Sequence, residues 1–410
     1  MICRIILLIQ SLIFNILSII LNLFIWRRKN VWLFGAWMGE KFSDNTRYIF
    51  QHISDNKEKY GINKAVWVTR DKKTYDTLCG MGYDVAKMHS IKSYYYHLKA
   101  GVHLICNMYY KTNQFNGDIL GNWSYLATKI QLFHGVGIKA CGKMRSNRVS
   151  RNNIMTMLSD VINDFSLLSP GGWNKCYFLA TSSENKRIAK YDYGYADNRI
   201  IVAGYPRLCE CPRLLPKEEE VINKIFEYRL RHKRIILYLP TFREDSAKYI
   251  RPYDIEGFGD FITKNNIFWM EKRHSADINQ VDANVENVYS LNSNFDINVI
   301  YKYIDLLITD YSSAASDAIY WNKLTLEYCP DFKDYKNNER GFVAPFDKYH
   351  VNDVPITDSK VLFNSIIEEF NNGYNMEKQK KRHEVCTLLF GETTSDFGEI
   401  MKKIFEIVKM

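Results

Sequence analysis

Hydrophobic positions along this chain follow two alternating patterns, which together predict a layered α/β structure. Short runs rich in β-branched and aromatic residues are separated by longer stretches in which apolar residues recur at helical spacing. The runs predict ten strands, at 31–37, 64–70, 103–107, 130–133, 176–181, 234–239, 267–271, 287–291, 306–309 and 325–328. Strands that alternate with helices form parallel sheets covered by helices on both faces. We therefore expect two Rossmann-like halves.

A stretch with three prolines and a cluster of charges, residues 204–220, separates the two series of strands and is typical of a linker. A chain of 410 residues also exceeds the usual size of a single hydrophobic core. We expect an N-terminal domain at 30–210, a C-terminal domain at 211–390 and a final helix at 391–410.

The first 29 residues predict a hydrophobic membrane helix. Ile5 to Trp26 carry no charge and are about long enough to cross a bilayer. Four polar residues recur there at helical spacing, namely Ser11, Asn15, Ser18 and Asn22. This stripe also permits a helix that lies in the membrane interface or packs against a partner, and a buried core helix is a further alternative. The basic residues 27–29 outnumber Arg4, which predicts that the rest of the chain lies at the cytoplasmic face of the cell membrane.

Charge and composition narrow the possible partners. The net charge of +9 suits anionic lipids, phosphorylated substrates or nucleic acid. The sequence has neither zinc-finger spacing nor an aromatic–basic strand signature, so we do not expect nucleic acid. The nine cysteines are scattered and predict reduced thiols. Metal-ligand spacings and the glycine fingerprints of NTPases and dehydrogenases are missing near the motifs, so we expect no metal and no cofactor.

The strongest candidate site follows the run 306–309, which ends in a cluster of hydroxyl groups before a helical stretch. In open parallel sheets, ligands bind at the carboxyl ends of strands, and a helix start offers free N–H groups to a phosphate. Thr309, Ser312 and Ser313 are therefore candidate ligands of a diphosphate, and Asp317 is a candidate ligand of ribose hydroxyls. The alternative is that Asp310 or Ser312 only caps the helix, since capping uses the same geometry.

A histidine stands at the end of another run. His134 follows 130–133 and precedes two glycines, which let a ligand approach the backbone. An imidazole in this position suits a general base, with a structural role as the alternative. Basic residues without an intervening acid follow, and they suit phosphates or anionic headgroups, or else form a solvated loop. They are Lys139, Lys143, Arg145, Arg148 and Arg151.

Further basic groups follow two strands of the second half. His274 comes shortly after the strand at 267–271 and could face His134 across a cleft. Thr241 and Arg243 follow the strand at 234–239, where a guanidinium suits a bidentate phosphate contact. An interdomain ion pair is the alternative for Arg243. Arg340 adds a weaker cationic candidate.

In this order, the segments resemble the CDP-glycerol glycerophosphotransferase family, the polymerases and primases of teichoic acids and related capsules. The matches are His134 to Lys139, Gly204 to Arg207, Pro240 to Arg243, Lys272 to His274, Ile308 to Ser313 with Asp317, and Arg340 to Phe342. The resemblance implies a GT-B architecture, with an N-terminal acceptor domain and a C-terminal domain that binds the donor nucleotide.

The resemblance also implies an activity. Glycerol phosphate, or a related polyol phosphate, would pass from a CDP-activated donor to a hydroxyl of a lipid-linked glycan or polyol-phosphate acceptor at the inner membrane, with release of CMP. His134 and His274 match the two functional histidines of the family, and His134 would act as base while His274 and Arg243 stabilise the leaving CMP. The donor-binding residues would be Thr241, Arg243, Thr309, Asp310, Ser312, Ser313, Asp317 and Arg340, and those on the acceptor or membrane side Lys139, Lys143 and Arg145.

The sequence departs from the family at two of these segments. Val136-Gly137 stands where Thr-Pro is usual, and Cys209 stands where an acidic residue is expected. These changes bear on the acceptor side and on the identity of the polyol. Two alternatives remain open: a GT-B glycosyltransferase that uses a nucleotide sugar in surface polysaccharide synthesis, and a non-catalytic membrane scaffold.

Overall fold

Two parallel β-sheets form the centre of the computed structural model, which describes residues 2–107, 117–144, 165–211, 213–241, 250–272, 286–336, 341–392 and 395–408. The first sheet has seven strands in the order β3-β2-β1-β4-β5-β6-β7, and the second has five in the order β10-β9-β8-β11-β12. The strands are β1 Arg28–Gly35, β2 Lys64–Thr69, β3 Val85–Lys87, β4 Ala100–Ile105, β5 Thr128–Gln131, β6 Tyr177–Ala180, β7 Ile200–Val202, β8 Arg234–Leu239, β9 Ile267–Glu271, β10 Val288–Ser290, β11 Leu306–Thr309 and β12 Leu324–Glu327.

Each of the ten expected strands overlaps an observed one, and the α/β class is confirmed. Two strands were not expected from the sequence, β3 and β7, and both have three residues and lie at the edges of the first sheet. Three residues are too few to show a period, and an edge strand is buried by fewer neighbours. Neither the hydrophobic pattern nor the length therefore distinguishes such strands from a loop.

Helices connect the strands, as parallel pairing requires. They are α1 Ile2–Leu21, α2 Asp44–Asp55, α3 Lys72–Gly80, α4 Ile91–Lys99, α5 Ser183–Tyr191, α6 Pro216–Leu230, α7 Phe258–Lys264, α8 Ala314–Tyr320, α9 Leu362–Asn372, α10 Met376–Phe390 and α11 Phe397–Val408, with one further turn at Phe332–Asp334. Side-chain oxygens cap several of them: Asp71 accepts from the N–H of Thr74, and Ser182 from that of Asn185. Such caps are worth about 1 kcal/mol each.

The last helix returns to the first sheet. Ile400, Met401 and Ile404 of α11 belong to the same buried cluster as Trp32 of β1, and the ring of Phe405 lies 5.8 Å from that of Trp32. The expected amphipathic C-terminal helix is thus confirmed, and its apolar side packs on the N-terminal half of the chain. The domain boundaries given above stay predictions.

The expected linker is partly buried. Residues 206–208 form a turn in which Arg207 is 2% exposed. The linker ends earlier than expected, because α6 begins at Pro216, a residue whose fixed φ suits the first position of a helix. The segment between the sheets therefore contributes a buried cation to the contact between them.

The polar stripe of α1 faces the rest of the protein. Ser11, Asn15 and Ser18 are buried, and the Asn15 amide donates to the carbonyls of Leu167 and Ser169 at 2.9 and 2.8 Å. The opposite side exposes large apolar residues, with 40–52% of their surface accessible: Ile6, Ile9, Ile13, Ile16, Leu17 and Ile20. Among the helices that the structure describes, none combines the length and apolar character that crossing a membrane requires. The expected membrane-spanning segment is thus not found there.

Candidate active site

The two strongest motifs of the sequence meet where the two sheets face each other. The loop after β5 carries His134, and the turn after β11 carries Ser313. A Cβ atom added to Gly135 would lie 2.1 Å from the Ser313 Oγ, and one added to Gly137 would lie 3.1 Å from the Ser313 Cα. With a φ of +153° at Gly135, only glycine permits this approach. The two glycines thus permit the contact between the His134 loop and the Ser313 turn.

Backbone hydrogen bonds extend this contact. The N–H of Val343 donates to the carbonyl of Ile138 at 2.9 Å, and the N–H of Ala140 donates to the carbonyl of Gly341 at 3.1 Å. Lys139 and Phe342 therefore pair as an antiparallel bridge. The segment after His134 is fixed to the second half of the chain by its main chain, so its position does not depend on charged side chains.

The imidazole of His134 is oriented by one hydrogen bond. Its Nδ1 lies 3.1 Å from the carbonyl oxygen of Cys106. A carbonyl only accepts, so Nδ1 carries the proton and Nε2 keeps a lone pair. The ring of Trp37 lies 5.3 Å away. Burial lowers the pKa of His134 from its ordinary value, although the nearby Asp44 carboxylate acts in the opposite direction. The imidazole is therefore neutral near neutral pH, with a lone pair on Nε2.

A hydroxyl and a carboxylate from the second sheet form a tight pair beside this contact. The N–H and the hydroxyl of Thr241 donate to the two carboxylate oxygens of Asp310, at 2.8 and 2.5 Å. Lys139 Nζ lies 3.4 Å from the Thr241 Oγ1. Asp310 therefore orients Thr241, and Lys139 points towards the second half of the chain instead of the acceptor side where the sequence placed it.

The hydroxyls at the end of β11 have different roles. Thr309 is fully buried and donates to the carbonyl of Leu239 at 2.6 Å, so its hydroxyl holds two strands together. Ser312 Oγ accepts from the N–H of Ala314 at 3.3 Å, a weak local cap. Ser313 makes no side-chain cap, and α8 has only seven residues. A phosphate at this turn would depend on individual N–H and hydroxyl groups more than on a long helix dipole.

Arg207 is the centre of a buried ion cluster; the sequence placed it in the segment Gly204 to Arg207 that resembles the family, but gave it no role. Its guanidinium donates to Asp44 at 2.5 Å, to both oxygens of Asp317 at 2.7 Å and to the main-chain carbonyl of His134 at 2.6 Å. Burial raises the pKa of Asp317 to about 6 despite this pairing. Both oxygens of Asp317 are thus occupied by Arg207. The predicted contact of Asp317 with ribose stays a prediction.

A second buried cluster joins α2 to the other half of the chain. The guanidinium of Arg47 forms two hydrogen bonds with Glu218, at 2.5 and 2.7 Å, and lies 3.4 Å from Asp296. Asn45 adds neutral contacts, donating to the carbonyls of Leu132 and Phe133. Because α2 thus bonds to both halves, it holds the His134 loop at a fixed place relative to the second sheet.

Two lysines lie near the contact between α2 and the second half of the chain. Lys41 Nζ donates to the carbonyl of Ser293 at 3.0 Å, and Lys272 Nζ donates to the carbonyl of Phe295 at 2.7 Å. Burial lowers the pKa of Lys272 to about 8. Both ammonium groups face one loop of the C-terminal half, and they add positive charge there.

The remaining sequence-derived candidates are placed as follows. Lys143 is exposed, and its N–H donates to the carbonyl of Asp192 at 2.6 Å. Arg145, Arg243, His274 and Arg340 lie outside the described residues, so their predicted roles stay predictions.

The sequence carries a signal for two residues of the site that were not predicted, Asp44 and Asn45. Asp44 and Asn45 follow the last residue of β1 by nine and ten positions, and the rule that ligands gather at the carboxyl ends of parallel strands applies there as well. No histidine or glycine pair adjoins them in the sequence, so the local pattern does not mark them as functional. Arg207 belongs to a segment that matches the family, but its ion pairs could not be predicted, because it lies in a linker and its partners are 163 and 110 positions away.

Comparison with known proteins gives a consistent result. Residues 17–395 match the model of the family described as CDP-Glycerol:Poly(glycerophosphate) glycerophosphotransferase. The chain is 26% identical over 366 residues to the teichoic acid poly(glycerol phosphate) polymerase of Bacillus spizizenii, covering 86% of this chain and 88% of that protein. It is 20% identical to the teichoic acid glycerol-phosphate transferase of Staphylococcus aureus, with 89% and 91% covered.

Solved structures show the same architecture. The wall teichoic acid polymerase TagF superimposes with a TM-score of 0.65 at 19% identity, covering 93% of this chain and 89% of that one. A likeness at this identity speaks for the fold, and it confirms the expected GT-B-like arrangement of two Rossmann-like units.

Proposed function

The chain belongs to the CDP-glycerol:poly(glycerophosphate) glycerophosphotransferase family, a family of enzymes, and from this premise we propose how its residues perform the transfer. Glycerol phosphate, or a related polyol phosphate, passes from a CDP-activated donor to an acceptor hydroxyl in teichoic acid synthesis, and CMP leaves. The observation that carries the mechanism is the contact of the His134 loop with the Ser313 turn. This contact supports the proposal that a base from one half of the chain acts beside a donor-binding turn of the other.

The chemical step is an in-line displacement at phosphorus. The acceptor hydroxyl attacks the phosphorus that bears the polyol, its proton passes to Nε2 of His134, and the bond from that phosphorus to the oxygen of CMP breaks. The hydrogen bond from Nδ1 to the Cys106 carbonyl supports the assignment, because it leaves Nε2 as the acceptor. The lowered pKa keeps the ring neutral before the reaction.

The donor phosphates need a place beside the Gly135–Ser313 contact, since the contact itself has no room for a ligand. We place them towards Thr241 and Lys139. Both donor groups of Thr241 bond to Asp310, so Thr241 has no donor left for a phosphate. In this proposal the phosphate is bound there by the ammonium group of Lys139. Ser312 and Ser313 add hydroxyl groups. The contributions of His274, Arg243 and Arg340 rest on the family resemblance.

A donor screen tests this proposal. Purified protein is incubated with CDP-glycerol, CDP-ribitol and several nucleotide sugars, and nucleotide release is measured with and without a polyol-phosphate acceptor. We expect CMP release with a CDP-polyol and its loss in His134→Gln. Release with nucleotide sugars only would favour a glycosyltransferase. Unchanged pathway output in His134→Gln and His274→Ala would favour a non-catalytic scaffold.

We further propose that α1 lies in the interface of the cytoplasmic leaflet, where a lipid-linked acceptor would be available. Its outward side carries half-exposed isoleucines, and the following Phe24 and Trp26 are 80% and 75% exposed. Arg28 and Lys29 follow, both exposed, and they suit anionic lipid, whereas the Arg27 guanidinium donates to the carbonyls of His97, Ala100 and Trp123. The polar stripe of α1 forms hydrogen bonds with the rest of the protein, so the apolar side is the one that can face lipid.

Vesicle co-sedimentation tests the placement of α1. Wild-type protein should bind vesicles that contain phosphatidylglycerol, and the variant Ile9→Asp/Ile13→Asp/Ile16→Asp should stay in the supernatant while still releasing CMP with a soluble acceptor. Leu230→Asp is the matched control, because Leu230 is 83% exposed on α6, away from α1. Equal binding by the triple variant and the wild type would contradict the proposal.

A further inference from the structure

One buried carboxylate near the site belongs to neither ion cluster. Asp118 is 1% exposed, and it accepts four hydrogen bonds. Its Oδ1 accepts from the N–H of Met38 at 2.8 Å and from the side-chain amide of Asn107 at 3.0 Å. Its Oδ2 accepts from the N–H groups of Cys106 and Asn107, both at 2.9 Å. Burial raises the pKa of Asp118, and these bonds counteract that rise.

The charge of Asp118 has no cationic partner among the ion pairs of the described residues. A buried carboxylate is costly unless its oxygens are satisfied, and here neutral N–H groups alone satisfy them. The segment that carries Asp118 returns to the carboxyl end of β4, where Cys106 and Asn107 follow the strand. The carboxylate is therefore placed at the functional edge of the sheet.

A single peptide group connects Asp118 to the base. The N–H of the Cys106–Asn107 peptide donates to Asp118 Oδ2, and the carbonyl of the same peptide accepts from His134 Nδ1. Hydrogen bonds at the two ends of one peptide polarise each other. The negative charge of Asp118 thus makes that carbonyl a better acceptor for the Nδ1 proton.

The same carboxylate also fixes the backbone turn that carries Trp37, the aromatic residue beside His134. Trp37 and Met38 have φ values of +46° and +59°, which non-glycine residues rarely adopt. Such a turn persists only where its surroundings hold it. The hydrogen bond from the Met38 N–H to Asp118 Oδ1 is one contact that stabilises this turn. The turn thereby positions the Trp37 ring, which lies 5.3 Å from that of His134.

We propose that Asp118 is the positioning residue of His134, which it holds with Nδ1 protonated and Nε2 directed to the acceptor hydroxyl. The inference rests on the proposed function, in which His134 is the base. When Nε2 takes the proton from the acceptor, the ring becomes a cation, and the carboxylate stabilises that cation through the Cys106–Asn107 peptide. Asp118 itself touches neither substrate nor the reacting atoms.

The test compares Asp118→Asn with Asp305→Asn. Asp305 also accepts from a strand N–H, that of Ile235 at 2.8 Å, but at the amino end of β8. In Asp118→Asn we expect kcat to fall by roughly 10²-fold, the effect of a small misplacement of a reacting group, with little change in KM. The acid limb of the kcat/KM profile should move to lower pH, because the Asp118 charge raises the pKa of His134. Asp305→Asn should leave the profile unchanged.

Activity that falls only in proportion to the folded fraction, with an unmoved acid limb, would overturn the inference. If Asp118→Asn does not fold, ¹⁵N NMR of wild-type protein labelled at histidine decides, with His134→Gln used to assign the signal. The Nδ1–H tautomer is expected, and the Nε2–H tautomer would refute the inference. Wild-type protein that turns over no CDP-polyol but shows the Nδ1–H tautomer would count against the proposed function alone.

Discussion

Replacing Arg207 by methionine should sharply destabilise the contact between the two halves. The Arg207 side chain is 2% exposed, and its guanidinium neutralises two buried carboxylates, Asp44 and Asp317. Methionine fills much of the aliphatic volume but leaves both carboxylates without a cation. Removing one partner of a buried ion pair costs about 3–5 kcal/mol. That is a large share of the roughly 5–15 kcal/mol by which folded proteins are stable.

Urea unfolding, followed by tryptophan fluorescence at pH 7.5, measures this effect. Arg207→Met should lose about 3–5 kcal/mol. The double variant Arg207→Met/Asp317→Asn should lose less than the sum of the single losses, by roughly 0.5–3 kcal/mol, since the amide removes one of the orphaned charges. Arg231→Met is the control, because the Arg231 side chain is 60% exposed and pairs with Glu227 at the surface. Additive losses, or a loss for Arg207→Met as small as that for the control, would refute the reasoning.

Three further outcomes follow from the site. Since burial lowers the pKa of His134, the acid limb of kcat/KM should have its midpoint below the ordinary 6.5, and a midpoint above it would contradict the assignment. Gly135→Ala should lower Tm and activity because its Cβ overlaps Ser313, and adding Ser313→Gly should restore part of Tm. Gly61→Ala, at a φ of +61° with nothing within 4 Å of the added Cβ, controls for a positive φ without overlap. Burial raises the pKa of Asp317 from 3.8 to about 6, so its contribution to stability is present below pH 4 and is lost as pH rises through 6. Asp317→Asn should therefore flatten the dependence of Tm on pH in this range, and an unchanged slope would contradict the shift.

The strands and the two principal motifs could be predicted because their signals are local. A buried strand needs a continuous apolar run, and a loop that approaches another backbone needs glycine, as Gly135 and Gly137 show. The contact between the His134 loop and the Ser313 turn depends instead on how distant segments of the chain pack together. The sequence did not predict this contact; the rule that functional groups gather at the carboxyl ends of strands, combined with the family resemblance, predicted only that both segments border one cleft.

The positioning residues could not be predicted, because their signals are not local. Asp118 is an ordinary acidic residue in a loop, and its importance comes from N–H groups at positions 38, 106 and 107. Thr309 and Asp310 show the converse case. The sequence placed both on the donor, but Thr309 bonds to a strand carbonyl and Asp310 to Thr241. A hydroxyl or carboxylate at a strand end has the same sequence signature whether it contacts a ligand or a neighbouring strand.

The N-terminal helix shows that a polar stripe can be predicted correctly from the sequence while the direction in which it faces cannot. The polar stripe of α1 was expected from its spacing, and a stripe of that kind ordinarily faces water. Here the Asn15 amide finds the carbonyls of Leu167 and Ser169, and its carbonyl oxygen accepts from the N–H of Gly171 at 3.0 Å. Buried polar groups are costly when unpaired, so these bonds favour the inward orientation of the stripe. The isoleucines then face outward, and each half-exposed one forgoes on the order of 1 kcal/mol of burial free energy. A lipid surface would recover that free energy, which is why the orientation of the stripe supports an interfacial position for the helix.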